Sequence, residues 1–185
     1  MDVRFINPFI RSCQQHFDRQ MQLTLSIDRA HLKDAATTLI GHGVMMTMSL
    51  TGQFAGSVNV FLDQAVAITL ADRMIGTPRY RLDEAAYNAL RGLANLIVAD
   101  VKRELPSGGT RISIPKVRKL TREDQKRGPG SLIVPLTCKA GQVQIEVRVE
   151  TSNVAADQAP TMAPPVIDEA EVQEMVTRLL NQQAA

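Results

Sequence analysis

The 185-residue chain has no tryptophan, only two tyrosines and five phenylalanines, two cysteines and a formal net charge of just +2. Each shortage removes a class of function. Few aromatics leave little surface for stacking bases, and so small a charge gives no basic field for a phosphate backbone, so nucleic acid is not an expected partner. Cys13 and Cys138 stand far apart, each inside a hydrophobic pattern, which points to free buried thiols rather than a disulfide or a metal site. His16, His31 and His42 have no ligand-set spacing, so neither a metal nor a cofactor is expected. No stretch reaches the roughly 18 apolar residues of a membrane span. The N-terminus, with Asp2 and Arg4 ahead of an amphipathic segment, does not read as a signal peptide, so a cytoplasmic location without membrane contact is expected. No Gly-rich phosphate loop and no Ser/His/Asp or Cys/His set is evident.

What is present suits one domain with an appendage: 44% hydrophobic residues against 22% charged ones is enough to bury a core. The best punctuated stretch runs from Leu82 to Leu105. Asp83 can cap its first turn, Glu84 suits the positive end of the helix dipole, and Lys102 and Arg103 suit the last turn before Pro106. At about 100° per residue, Ala86, Leu90, Leu93, Ala94, Ile97, Val101 and Leu105 fall on one side and predict the core face. Asn88, Gly92, Asn95 and Ala99 fall opposite, flanked by Lys102 and Arg103. That second face is small and amide-bearing instead of charged. Gly92 stands out, because mid-helix glycine costs roughly 1 kcal/mol relative to alanine. Either another backbone approaches there or a side chain has been lost.

The remaining elements follow from period and punctuation. Asn7-Pro8 opens a helix to about Gln20, with Asn7 as its cap. Gln22–Asp28 alternates as a strand, and residues 29–43 show no clear element. Val44–Leu50 and Phe54–Leu62 form a hairpin about Thr51-Gly52-Gln53, with Met45, Met46 and Met48 in its core. Asp63 caps a short helix that stops at Gly76. Arg111–Val117 reads as a strand, Leu120–Gly130 as a charged loop, and Leu132–Lys139 with Gln142–Glu150 as a second hairpin. The basic residues from Lys116 to Arg127 are broken by Glu123 and Asp124 and suggest a solvated face. Residues 7–62 and 83–150 share the order helix, strand, loop, hairpin. This predicts an α/β (α+β) fold, a pseudo-repeat building one mainly antiparallel sheet covered by long helices. Residues 1–150 form the domain. Residues 151–167 read as a Pro/Ala-rich linker, and residues 168–185 as a C-terminal amphipathic helix with Val172, Met175, Val176, Leu179 and Leu180 on one stripe. A helix so short must dock on its own domain, a second copy or a partner.

Met-Asp-Val-Arg-Phe-Ile-Asn-Pro-Phe at the start, Gly56-Ser57-Val58, Leu82-Asp83-Glu84, Leu93-Ala94-Asn95 and Ile112-Ser113-Ile114-Pro115 occur in an order that resembles the chemotaxis phosphatase CheX, of the CheC/CheX/FliY group, over about residues 1–150. The resemblance implies a homodimeric protein that removes the phosphoryl group from the response regulator CheY. It also implies a Glu-x-x-Asn motif on the long helix, whose asparagine orients the attacking water while its glutamate engages a lysine of the regulator. The metal of the reaction then sits in the regulator's own acidic pocket. Carried over, the asparagine is Asn95 and the glutamate position is Gly92. Asn88, Gly92, Ala99 and Lys102 would make the regulator-binding face. With the glutamate missing, the implied alternatives are a weak phosphatase acting through Asn95 and a non-enzymatic adaptor that binds a receiver domain or recruits a partner through its C-terminal helix. On residue type alone, Asn95 is an ordinary exposed helix amide.

Overall fold

A computed structural model describes residues 6–33, 40–52, 55–105, 109–125 and 130–150; the proposed linker and C-terminal helix lie outside them. The elements are α1 (Asn7–Met21), β1 (Ser26–Ile27), β2 (His31–Leu32), β3 (Gly43–Gly52), β4 (Ala55–Asp63), α2 (Gln64–Ile75), α3 (Glu84–Glu104), β5 (Thr110–Ile112), β6 (Lys116–Lys119), α4 (Arg122–Gln125), β7 (Leu132–Cys138) and β8 (Gly141–Glu150).

One sheet runs in the order β1-β7-β8-β4-β3-β5, with β2 also on β7 and β6 also on β3. Every pair is antiparallel. The two hairpins meet at β4 and β8. The strands that follow α1 pair with the second hairpin, and those that follow α3 pair with the first. The exchange repeats in detail: Asp28 N–H donates to Pro135 O and Ser113 N–H to Ser49 O, each at 2.9 Å. Likewise Lys33 N–H reaches Ser131 O at 2.8 Å and Leu120 N–H reaches Gly43 O at 2.9 Å. The pseudo-repeat is therefore interlocked, and neither half owns a complete sheet.

Alternation explains the packing. Met46, Met48, Val58, Val60, Ile145 and Val147 turn one sheet face toward the helices and join Phe9, Cys13, Phe17, Leu90, Leu93 and Ile97 in a single core. The other face carries a smaller cluster of Ile40, Met45, Phe61, Leu120 and Ile133. Beside it runs a polar row across the central strands, Thr47 opposite Asn59 and Asn59 opposite Glu146. Glu146 is fully buried and accepts from Lys33 Nζ at 3.3 Å, Ser131 Oγ at 2.8 Å and Asn59 Nδ2 at 2.9 Å. Lys33 is itself 3% exposed, so the pair fastens the segment after β2 to the sheet centre.

Several expectations need correction. Asn7 lies inside α1 instead of capping it; Ile6 occupies the cap position without a side-chain bond, its side chain sealed in the core. The strand read over Gln22–Asp28 contracts to Ser26–Ile27, because Gln22 ends α1 in the left-handed region at φ 49°. Leu23 and Leu25 still alternate inward. The strand read over Arg111–Val117 is two, β5 and β6, separated by Ser113-Ile114-Pro115. Proline has no N–H for the ladder, and each piece pairs with its own stretch of β3. The loop from Leu120 contains α4, fixed by Asp124, which accepts from Thr121 N at 2.9 Å and pairs with Arg118. The Arg118 guanidinium, with the Thr121 bonds, holds the Asp124 carboxyl far below its usual range. Of the two free thiols only Cys13 is fully buried, and burial pushes it up to about 12.

Removing one member of a buried ion pair strands the other charge, at a cost of roughly 3–5 kcal/mol. Lys33→Met should lower the free energy of unfolding by about that amount and move the denaturant midpoint down accordingly; an unchanged midpoint would show that Lys33 does not compensate Glu146.

Candidate functional site: the outward face of α3

The position of α3 is set at its start. Asp83 accepts from Ala86 N at 2.9 Å, and Arg79 Nη1 grips both its oxygens at 2.7 and 2.5 Å. The Ala86 N–H, followed by Arg79 and Arg81, holds the Asp83 carboxyl below its usual value. From this cap, Ala86, Leu90, Leu93, Ala94, Ile97, Val98 and Val101 turn into the core. These include six of the seven positions predicted for that face, and the seventh, Leu105, is half-buried.

The opposite face emerges as the sequence predicted. Asn88, Asn95, Ala99 and Lys102 are exposed and Gly92 is half-buried. They span about 21 Å of helix at 1.5 Å per residue. Arg91 bonds Glu84 at 3.2 Å and also the Asn88 carboxamide oxygen, so Asn88 is engaged along its own helix. The side chains of Asn95 and Lys102 have no hydrogen bond or ion pair to any described residue. A side chain at Gly92 would meet only the Met74 methyl, at 3.6 Å from its Cβ, which is ordinary contact. Among the described residues, then, no backbone approaches Gly92. Its vacancy is open space beside Asn95, three residues away.

Asp100 turns away from this face toward α1. It accepts from His16 Nε2 at 2.7 Å and Ser12 Oγ at 3.3 Å, and pairs with Arg103. Arg11 and Glu104 add a second link at 2.6 Å. Partial burial works against the charged form of Asp100, yet the His16 and Arg103 bonds outweigh it and hold the carboxyl below its usual range. The structure thus assembles Ser12, His16 and Asp100, a trio the sequence reading missed because Asp100 lies more than 80 residues from the other two. It is a tether and not a nucleophilic set: serine and histidine both bond the carboxylate, and Ser12 is 1% exposed. Among the described residues, no group of His, Cys, Asp and Glu could hold a metal ion, and no helix is long and apolar enough to cross a membrane.

The sequence model for the chemotaxis phosphatase CheX matches residues 44–137, just over half of the chain. The chain belongs to the CheX family. The match spans four of the motifs quoted above and begins after the N-terminal one. Solved CheX-like structures agree over a longer stretch. A CheC-like superfamily protein from Shewanella sp. PV-4 superposes with a TM-score of 0.67 at 21% identity, covering 81% of this chain and 99% of that one. CheX from Vibrio vulnificus gives 0.64 at 22%, over 79% and 99%. The CheX chain of a CheX-CheY-BeF3-Mg2+ complex from Borrelia burgdorferi gives 0.64 at 16%, over 80% and 99%. At these identities the likeness establishes the CheX-like fold. No curated protein sequence matches the chain.

Two outcomes test this geometry. Gly92→Ala should raise stability by up to about 1 kcal/mol, since it removes the helix penalty and meets no obstruction, and Gly92→Glu should fold normally; a lowered melting temperature in both would show hidden packing at Gly92. Asp100 is depressed in the fold, so its tether is intact above the ordinary carboxylate range and is lost as pH falls through its lowered value. Asp100→Asn should therefore flatten the acid limb of the stability profile; a limb identical to wild type would assign acid sensitivity elsewhere.

Proposed function

We propose that this CheX-family protein binds the phosphorylated receiver domain of a CheY-type response regulator through the outward face of α3 and promotes loss of its phosphoryl group weakly, through Asn95. The supporting observation is that Asn95 stands on a capped helix, its carboxamide exposed and unengaged by any described residue. An amide held this way can orient a water in line with an aspartyl phosphate, and positioning is most of what such a step requires of the second protein. The related complex of CheX with CheY supports the partner class. Lys102, with no ion pair among the described residues and about 10 Å along the helix from Asn95, suits an acidic surface at the rim.

The open space at Gly92 favours a second reading. With no side chain there, the contact to the receiver is missing, and each 1.4 kcal/mol lost from the barrier lowering costs tenfold in rate. The non-enzymatic version is an adaptor that keeps the surface and holds a receiver without dephosphorylating it.

Both readings are tested by the loss of phosphoryl label from a CheY-type receiver of the same organism, with wild type, Asn95→Ala and Gly92→Glu in parallel. Acceleration by wild type and its loss in Asn95→Ala is the expected result. Inert wild type with active Gly92→Glu establishes the adaptor on an intact scaffold, and binding without acceleration by any of the three overturns the role given to Asn95.

A further inference from the structure

The outward face of α3 holds a pattern that helical-face analysis of the sequence overlooked. Ala85, Ala89, Gly92, Leu96 and Ala99 repeat at alternating steps of four and three, the spacing of a seam between packed helices. Ala85, Leu96 and Ala99 are exposed and the other two half-buried, so the described elements leave most of the seam open, with the Met74 methyl of α2 lying near Gly92. Leu96, 40% exposed, is one of only three large apolar side chains standing out of the described surface. Asn88, Asn95 and Lys102 recur every seven residues along its flank.

We infer that the chain's own segment 168–180 packs antiparallel along this face, on the seam centred on Leu96, and partly covers Asn95. Four observations select that occupant. Val172, Val176 and Leu179 repeat the same four-three spacing, and with Met175 and Leu180 they supply bulk where α3 offers mostly alanine and glycine. The chain leaves the fold at the right place: Glu150 pairs with Ala55, beside the turn where Gly52 pairs with Thr110, just after α3 has ended. The exit is therefore at the Lys102–Arg103 end of α3. Residues 151–167 are long enough, their root-mean-square span as a flexible chain being roughly 20–25 Å. The charges also fall in antiparallel order. Asp168, Glu169, Glu171 and Glu174 come first from the exit and meet Lys102 and Arg103, and Arg178 follows toward the Glu84 end.

Docked there, the segment occupies the surface that a receiver domain would need. This second step rests on the function proposed above: the tail competes with the receiver, and its release is the regulated event. At the millimolar effective concentration typical of a short flexible tether, a segment that binds the face with a dissociation constant of about 0.1 mM lowers apparent receiver affinity on the order of tenfold.

The test compares ¹⁵N spectra of the full chain with those of Val172→Asp/Leu179→Asp and of the reciprocal Leu96→Glu, whose exposed site does not endanger the core. Each variant should shift amides across residues 89–102, as release of a common contact requires, and the wild-type spectrum should not change on dilution. Matching α3 spectra in wild type and the tail variant overturn the docking, and shifts that disappear on dilution overturn it in favour of a second copy. Titration with a beryllofluoride-activated CheY-type receiver reads the competition separately. Tighter binding by the tail variant, on the order of tenfold, is expected. Equal binding with docking present removes the competition, and binding by neither form removes the proposed function while the spectra still decide the docking.

Discussion

Exchange of edge strands between the two hairpins is the constraint from which the rest follows. β1 and β2 complete a sheet begun by β7, and β5 and β6 complete one begun by β3. The chain after each long helix must therefore cross to the other half. That crossing lays α1 and α3 side by side on a common apolar face, and the His16–Asp100 and Arg11–Glu104 links tie them where they meet. With its inner side fixed by the core and its start fixed by Arg79 and Asp83, α3 has only one face left to present. The exposure of Asn95 is thus a consequence of topology and does not depend on any local feature of the residue.

Period and punctuation made much of this legible. The hairpins, the caps at Asp63 and Asp83, the stop at Gly76 and the inner face of α3 could be read because each rests on contacts close in sequence or on a strict alternation. The pairing order could not. Nothing in Ser26-Ile27 announces Thr137-Leu136 as its partner, since two residues carry too little pattern to specify register. The Lys33–Glu146 pair and the Ser12–His16–Asp100 tether were hidden for a related reason: each residue stands among other polar residues of its own segment and has no local signature that marks it for a distant partner.

The site was legible in part, and by two routes of different strength. The helical wheel placed Asn88, Gly92, Asn95, Ala99 and Lys102 on one side, and they do emerge together. It could not say whether Gly92 was packed or vacant; only the space around its Cα, occupied by the Met74 methyl alone, distinguishes them. Family membership fixes the fold that carries this face. The chemistry assigned to it remains a matter of the side chains that are there and of the one that is not.

The interlocked sheet also bears on how the chain is made. Ser26 finds its partner at Thr137, and β4 finds its central neighbour only when β8 is complete. At about 5–20 residues per second, synthesis from β1 to the end of β8 lasts on the order of 6–25 s. Through that interval β1, β2 and the β8-facing edge of β4 have no partner on the chain made so far. The sheet's middle is thus the last part of the sheet to be made, and an open strand edge faces the cell for most of the chain's translation.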